Sequence, residues 1–241
     1  MTDKPLVAIT GASSGIGEAT ARAFSAAGHP VLLMARRMDR MQALGLPNAH
    51  LAEVDVRDRA AIAEAVAAAE AKFGPCDMMF ANAGVAHLAD IARQDPAEWD
   101  AMIDINCKGV MNSVHAVMNG MIARKRGTLV MMSSIAGRKV YPDHTVYCGT
   151  KFFVHAISES IRAYLAPHGV RVIVLSPGVI ETEVLNGVTD PQTLAAYRAN
   201  KAKMGGGIGA DIVADLILNA YRLPQNALVQ EIVITPTAQE Y

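Results

Sequence analysis

The chain is 241 residues long and carries 22 Lys and Arg against 23 Asp and Glu. That length suits one α/β domain with a substantial core, and the balanced charge leaves no electrostatic footprint for nucleic acid or an anionic membrane surface. Cys76, Cys107 and Cys148 are odd in number and form no C-x-x-C pair, which excludes a disulfide framework and a cysteine zinc site and implies reduced thiols.

Leu6 to Thr10 is a short apolar run, predicted as the first strand. Gly11-Ala12-Ser13-Ser14-Gly15-Ile16-Gly17 follows, then an alanine-rich helix from Glu18 to Ala27 closed by Gly28. Strand, glycine turn, helix is the context of a phosphate-binding loop, because glycines let the backbone approach a pyrophosphate whose charge rests on the helix N-terminus. A tight turn without a ligand is the plain alternative. Pro30 to Ala35 reads as the second strand, with Arg36 and Arg37 at its C-terminal end and Arg36 the nearer to the strand. An acidic residue there would accept hydrogen bonds from the ribose hydroxyls of a dinucleotide, whereas guanidinium forks suit a 2′-phosphate. With Arg40 nearby the pair also fits a solvated basic turn; the register favours the phosphate.

His50 to Val56 is the third strand candidate, and Asp58 caps a helix from Arg59 to Lys72 that Gly74-Pro75 ends. Cys76 to Phe80 is the fourth strand and runs into Asn82-Ala83-Gly84. Asp95-Pro96 opens a long helix whose apolar part includes Ala101, Ile105, Val110 and Val114. Asn106 stands in its middle, where asparagine is mildly unfavourable. Arg124-Lys125-Arg126-Gly127 closes it with cations that complement the helix dipole, a cap rather than a binding patch.

Thr128 to Met132 is the fifth strand and delivers Ser133 and Ser134 to its end, on opposite faces by alternation. Tyr147 and Lys151 share one face of the next predicted helix, whose stripe continues through Val154, Ile157, Ile161 and Leu165 to the stop Pro167-His168-Gly169. An ammonium beside a phenol favours phenolate and brings a tyrosine, ordinarily titrating near about 10, toward proton transfer at neutral pH. Tyr-x-x-x-Lys alone is common on solvated helix faces. Cys148 is turned about 100° from the tyrosine and reads as packing, while His144 suits either a substrate-facing position or an exposed turn. Val170 to Leu175 is the sixth strand, followed by Ser176-Pro177-Gly178-Val179-Ile180-Glu181-Thr182. Glu183 to Gly209 holds a helical segment from Leu194 to Lys203 and the run Gly205-Gly206-Gly207. A helix from Ala210 to Leu223 and a strand from Ala227 to Thr235 complete the order, so strands alternating with helices predict one doubly wound parallel sheet.

In order and spacing, Thr10-Gly-Ala-Ser-Ser-Gly-Ile-Gly17, Asn82-Ala83-Gly84, Ser134, Tyr147-x-x-x-Lys151 and the Pro177-Gly178-x-Ile180-x-Thr182 turn resemble the short-chain dehydrogenase/reductase family. The resemblance spans Leu6 to Thr235. It implies one Rossmann-type domain over 1–241, with seven parallel strands in the order 3-2-1-4-5-6-7 and a substrate lid at 183–209. It also implies hydride transfer between NADP(H) and a carbonyl or alcohol carbon. In such a site Ser134 would hydrogen-bond the carbonyl oxygen and Tyr147 would give or take the proton. Lys151 would bind the nicotinamide ribose and depress the tyrosine's pKa, and Asn106 would anchor a relay water. Gly11, Ser13, Ser14, Gly15, Ile16 and Gly17 would cradle the pyrophosphate, Arg36 and Arg37 the 2′-phosphate, and Asp55 with Val56 the adenine. Asn82, Ala83 and Gly84 would pass beneath the cofactor, Asn82 being equally well a structural residue. Pro177, Gly178, Val179, Ile180 and Thr182 would close over the nicotinamide. Ala136, Val140, Tyr141, His144, Gly178 and Leu185 are the expected substrate neighbours.

The ending Val229 to Gln239, with Arg36-Arg37, is similar to bacterial NADP-dependent 3-hydroxy acid (serine-type) dehydrogenases and clavulanate-aldehyde-type reductases. The expected activity is reduction of small to medium aldehydes and ketones. Dehydrogenation of small 3-hydroxy acids is the alternative, should Arg138, Lys139, Arg198, Lys201 or Lys203 reach the pocket. A 3-oxoacyl-carrier-protein reductase would usually finish on a glycine-rich segment, and a non-catalytic dinucleotide sensor would be free to discard Ser134, Tyr147 or Lys151. No histidine pair has metal spacing. The expected partners are a small carbonyl or alcohol substrate and further copies of the chain, as tetramer or dimer, with no nucleic acid and no membrane. With no signal-like leader at Met1-Thr2-Asp3-Lys4-Pro5, a cytoplasmic protein is expected.

Overall fold

Short apolar runs set the middle of the molecule. The computed structural model describes residues 4–240; Met1 to Asp3 and Tyr241, the ends of the expected domain, lie outside the described residues. The strands are β1 (Leu6–Thr10), β2 (Val31–Ala35), β3 (Ala49–Glu53), β4 (Cys76–Ala81), β5 (Gly127–Met132), β6 (Val170–Pro177) and β7 (Glu231–Ile234). Among the described residues they pair in parallel as one seven-stranded sheet in the order β3-β2-β1-β4-β5-β6-β7, as expected. The five inner strands are buried along their whole length because helices cover both faces. Alternation divides each strand between two cores. Leu6, Ala8, Leu32 and Met34 join Val66, Val114, Val117, Val154 and Leu165 on one face. Val7, Ile9, Val31 and Leu33 join Phe24, Val213, Ile217 and Tyr221 on the other.

The helices are α1 (Gly15–Ala26), α2 (Met38–Ala43), α3 (Arg59–Phe73), α4 (Pro96–Ile103), α5 (Gly109–Arg124), α6 (Thr145–Leu165), α7 (Pro191–Lys203) and α8 (Ala210–Arg222). Asp58 caps α3 by accepting from the Ala60 and Ala61 amides at 2.9 and 3.0 Å. Four departures from the sequence expectation bear on function. Helix α1 begins inside the glycine loop, at Gly15 rather than Glu18, so the N-terminal turn is itself part of the loop. Helix α2 was not foreseen, six residues being too few to show a period. The long helix opened by Asp95 is broken between α4 and α5 by a π turn, Asp104–Lys108, that contains Asn106. Strand β3 stops at Glu53, which leaves Asp55 and Val56 on the following loop. The basic run after α5 is fastened to the sheet: Arg124 donates to the Cys76 carbonyl at 2.7 Å and Arg126 pairs with Asp77 at 2.8 Å.

The strand order reverses between β1 and β4, so the connections that leave their C-terminal ends diverge and open a crevice. One hydroxyl pins the two strand ends together there. Thr10 Oγ1 accepts from the amides of Asn82 and Ala83 at 3.0 and 3.1 Å, and Asn82 Nδ2 donates back to the Thr10 carbonyl at 2.8 Å. The approach admits no side chain: a Cβ on Gly11 would stand 2.8 Å from Asn82 Nδ2, and Gly11 also adopts φ 66°. After β6 the chain makes an excursion through a 3-10 turn (Glu183–Gly187) and α7, and returns through Gly205 and Gly206, at φ 78° and 107°. Among the described residues no helix is long and apolar enough to cross a membrane.

Candidate active site

A cavity of about 790 Å³ runs along the C-terminal ends of the strands. Arg36, Arg37, Asp55, Val56 and Arg57 rim its β2 end, and Gly11, Ser13, Ser14, Gly15 and Ile16 form its floor. Asn82, Ala83 and Gly84 line the middle, and Ser134, Ala136, Tyr147 and Lys151 stand at the β5 end beside Pro177, Gly178, Val179, Ile180 and Thr182. Two residues expected to contact a ligand do not face it. Gly17 lies under the loop, where a Cβ would run into the Gly11 carbonyl, so its glycine is a packing requirement. Asn106 is fully buried with its amide engaged: Oδ1 accepts from the Val85 amide at 2.9 Å, and Nδ2 donates to the Val85 carbonyl and Thr150 Oγ1 at 2.9 and 3.2 Å. Its side chain therefore anchors the Gly84–Val85 segment.

At the β5 end, strand and helix are tied twice. Lys151 Nζ donates to the Met132 carbonyl at 3.0 Å, and Ser133 Oγ donates to the Lys151 carbonyl at 3.1 Å. Ser133 therefore fixes α6 from behind, while Ser134 lines the cavity and donates to the Pro177 carbonyl at 3.3 Å. The Lys151 ammonium lies 5.5 Å from the Tyr147 ring centroid. Burial pushes the Tyr147 hydroxyl well above its usual range, and the neighbouring Ser134 hydroxyl only partly opposes this.

Aromatic rings surround the remaining space. His144 packs against Tyr141, Tyr147 and Tyr197 with centroids 5.4, 6.3 and 6.5 Å apart. Burial lowers its pKa, and its Nδ1 is buried without a hydrogen-bond partner. Leu185, Leu194 and Tyr197 of the excursion pack, with Tyr147, on a small apolar cluster of Ala86, Leu88 and Val188 at this end of the cavity. Val140, an expected neighbour, is 70% exposed and lies outside it, because the chain turns outward before the 3-10 turn Pro142–His144. The sequence reading missed His87, whose Nδ1 lies 2.6 Å from the Gly187 carbonyl, and Tyr197 and Asn200 on α7. It also missed Gln239, whose Oε1 accepts from the Val179 amide at 3.0 Å. Only His87 carried a local signal, its closeness to Asn82-Ala83-Gly84; the others are brought in by tertiary folding. Among the described residues no cluster of His, Cys, Asp and Glu could hold a metal ion.

Lys151 is 4% exposed, and burial lowers its pKa to about 8, against about 10.4 in an unfolded chain. Below pH 8 both states are protonated and the folded chain carries the full cost of the buried charge. As pH climbs from 8 to about 10.4 the folded state gives up its proton first, so stability rises across that window. Replacing Lys151→Met is expected to flatten this rise. Its Tm relative to the parent should be most favourable at pH 7 and fall back by pH 10, read by thermal unfolding at fixed ionic strength. A Tm difference constant from pH 7 to 10 would refute the titration.

A model of the short chain dehydrogenase family matches residues 5–193. Glycine betaine reductase ATRR of Emericella nidulans is 38% identical over 240 residues, covering 95% of this chain; the chain spans only 18% of that protein. Sulfoacetaldehyde reductase of Chromohalobacter salexigens is 36% identical, with 100% of this chain and 96% of that protein covered. The closed form of a serine dehydrogenase complexed with NADP+ superposes with a TM-score of 0.90 at 31% identity, over 98% of this chain and 96% of the other. With the parallel sheet, the glycine loop and the Ser134, Tyr147 and Lys151 grouping in place, the chain belongs to the short-chain dehydrogenase/reductase family of oxidoreductases.

Proposed function

We propose that the protein is an NADP(H)-dependent reductase of small to medium aldehydes and ketones. One observation carries the reading: a single cavity joins an arginine-rimmed glycine loop to the Ser134, Tyr147 and Lys151 grouping. The loop suits a pyrophosphate, since the first turn of α1 has no side-chain cap and offers its amides, and glycine keeps the approach open. A bound nicotinamide dinucleotide supplies the hydride. Ser134 orients the carbonyl oxygen, and Tyr147, kept protonated by burial, donates the proton to it. Lys151 offsets the charge that develops on the tyrosine oxygen and offers a donor to the nicotinamide ribose. Asn106 acts through position, holding Gly84 and Val85 against Lys151. The excursion over 183–209 serves as the substrate lid. The exposed Met111 on α5 and Phe152, Phe153 and Tyr164 on α6 support a homo-oligomer, and a cytoplasmic location belongs to the same reading.

NADP(H) is favoured over NAD(H) by Arg36 and Arg37 at the end of β2 and by the NADP+ in the serine dehydrogenase neighbour. One good charge-assisted contact favours the phosphorylated cofactor by about 10- to 100-fold. The double replacement Arg36→Asp with Arg37→Ser should raise KM for NADPH by that factor and leave NADH nearly unaffected. Equal kcat/KM for the two cofactors in the parent would remove the basis for the preference.

Neutral substrates are favoured because none of the suspected cations lines the cavity. Arg138 pairs with Glu231, Lys201 with Glu181, and Lys139 lies 5.9 Å from the Tyr141 ring centroid. The names of the serine dehydrogenase and sulfoacetaldehyde reductase relatives support a second reading, an acid-bearing substrate. Steady-state rates with matched neutral and carboxylated carbonyls decide; neutral compounds should give the higher kcat/KM, and a strong preference for the acids would establish the second reading.

Tyr147→Phe keeps the ring and removes the transferable proton, so turnover should fall by about 10² or more with nucleotide binding retained. Ser134→Ala should lower kcat/KM by about 10² through lost orientation of the carbonyl oxygen. Near-normal turnover in Tyr147→Phe, measured by NADPH oxidation, would overturn the assignment.

A further inference from the structure

The guanidinium groups at the β2 end already hold an anion that belongs to the chain. Arg37 donates from Nε and Nη2 to the hydroxyls of Ser13 and Ser14 at 3.2 and 2.7 Å, and from Nη1 to Glu183 Oε2 at 3.0 Å. Arg40 Nη1 donates to both Glu183 oxygens at 2.8 Å. One carboxylate thus bridges two arginines from different elements, Arg37 at the end of the β2 turn and Arg40 on α2. All three side chains are 42–43% exposed, so the pairing is individually weak and open to exchange. Glu183 also lines the cavity, and it follows Thr182, whose methyl lies 3.0 Å from where a Cβ on Gly15 would stand. It is the first residue of the 3-10 turn that begins the excursion over the β5 end.

We infer that Glu183 is a specificity-determining residue, an internal anion on Arg37 and Arg40 that a ribose 2′-phosphate must displace in order to bind. The inference rests on the NADP(H) reading above. A phosphate brings nearly two negative charges and three acceptor oxygens, and so competes well for guanidinium forks held by a single carboxylate. A free ribose hydroxyl brings no charge and leaves Glu183 in place. Glu183 therefore weakens binding of 2′-phosphorylated nucleotides selectively. Its departure also frees the start of the excursion, whose first turn remains tethered at its far end through the Gly187 carbonyl and His87.

The test uses the full chain and two simple probes, 2′,5′-ADP and 5′-ADP, titrated calorimetrically against the parent, Glu183→Gln and Glu183→Ala. Both variants should bind 2′,5′-ADP about 3- to 10-fold more tightly, the factor expected when two half-exposed ion pairs no longer compete. Their Kd for 5′-ADP should stay within about twofold of the parent's, because an uncharged ribose meets no competing pair. Saturating 2′,5′-ADP should also speed amide hydrogen exchange over 184–188 in the parent toward the rate of the unliganded variants. Unchanged or weaker 2′,5′-ADP binding in both variants, or unaltered exchange in the saturated parent, overturns the inference. The two levels of the argument fail differently. A parent that binds 2′,5′-ADP no better than 5′-ADP refutes the NADP(H) reading and the inference with it, whereas a discriminating parent with unresponsive variants refutes the role of Glu183 alone.

Discussion

The Thr10 hydroxyl holds together the one place where the sheet has to come apart. On either side of β1 and β4 the chain leaves in opposite directions, and without a link the glycine loop and the Asn82–Gly84 segment would be separate surface turns. Thr10 Oγ1 takes two amides from the far strand end, and Asn82 returns a donor to the near one. Thr10 is buried and its partners are half-buried, and an amide left unmatched away from water costs about 1–3 kcal/mol. The crevice is therefore fixed in width by polar bonds as well as by apolar packing. Every other element of the site is placed relative to it, from α1 with its uncapped first turn to β5 and the helix it grips.

Along the cavity two electrostatic regimes follow each other. The β2 end is open and cationic, with Arg36, Arg37 and Arg57 at the rim and the Arg57–Asp55 pair holding the Asp55 carboxyl below its ordinary range. The β5 end is enclosed and aromatic, and burial raises Tyr147 while lowering Lys151 and His144. Desolvation drives all three shifts toward the neutral form. A buried lysine bonded to one backbone carbonyl is a poor way to stabilise a fold, and this is where the sequence departs from what packing alone would choose.

The sheet was legible because inner parallel strands must be apolar on both faces, and such runs stand out between glycine and proline punctuation. Tyr147 and Lys151 were legible because helical spacing alone puts them on one face. Asn106 stood out as an odd residue in mid-helix, yet it lies in a π turn that no periodicity reveals, where its side chain bonds the Val85 backbone. The burial around Tyr147 and Lys151 was hidden for a related reason. Sequence gives the separation of two titratable groups along a helix but not how far each is withdrawn from water. Glu183 left no trace at all, since its partners Arg37 and Arg40 lie |i−j| = 146 and 143 away and one of them sits on an unforeseen helix.

The clasp at Thr10 has a further consequence for how the molecule forms. Its hydrogen bonds join residues 72 and 73 positions apart, and the hydrogen bond that seats Gln239 on the Val179 amide spans another 60. Loop-closure entropy must be met before such contacts are rewarded, which makes a wholly parallel sheet a slow folder. The helices can form early from local contacts, but the crevice has no walls until β1 lies beside β4. Ligand-binding competence therefore develops with the central strand pairing rather than with helix content, and a refolding chain will regain its helical signal well before it regains a site.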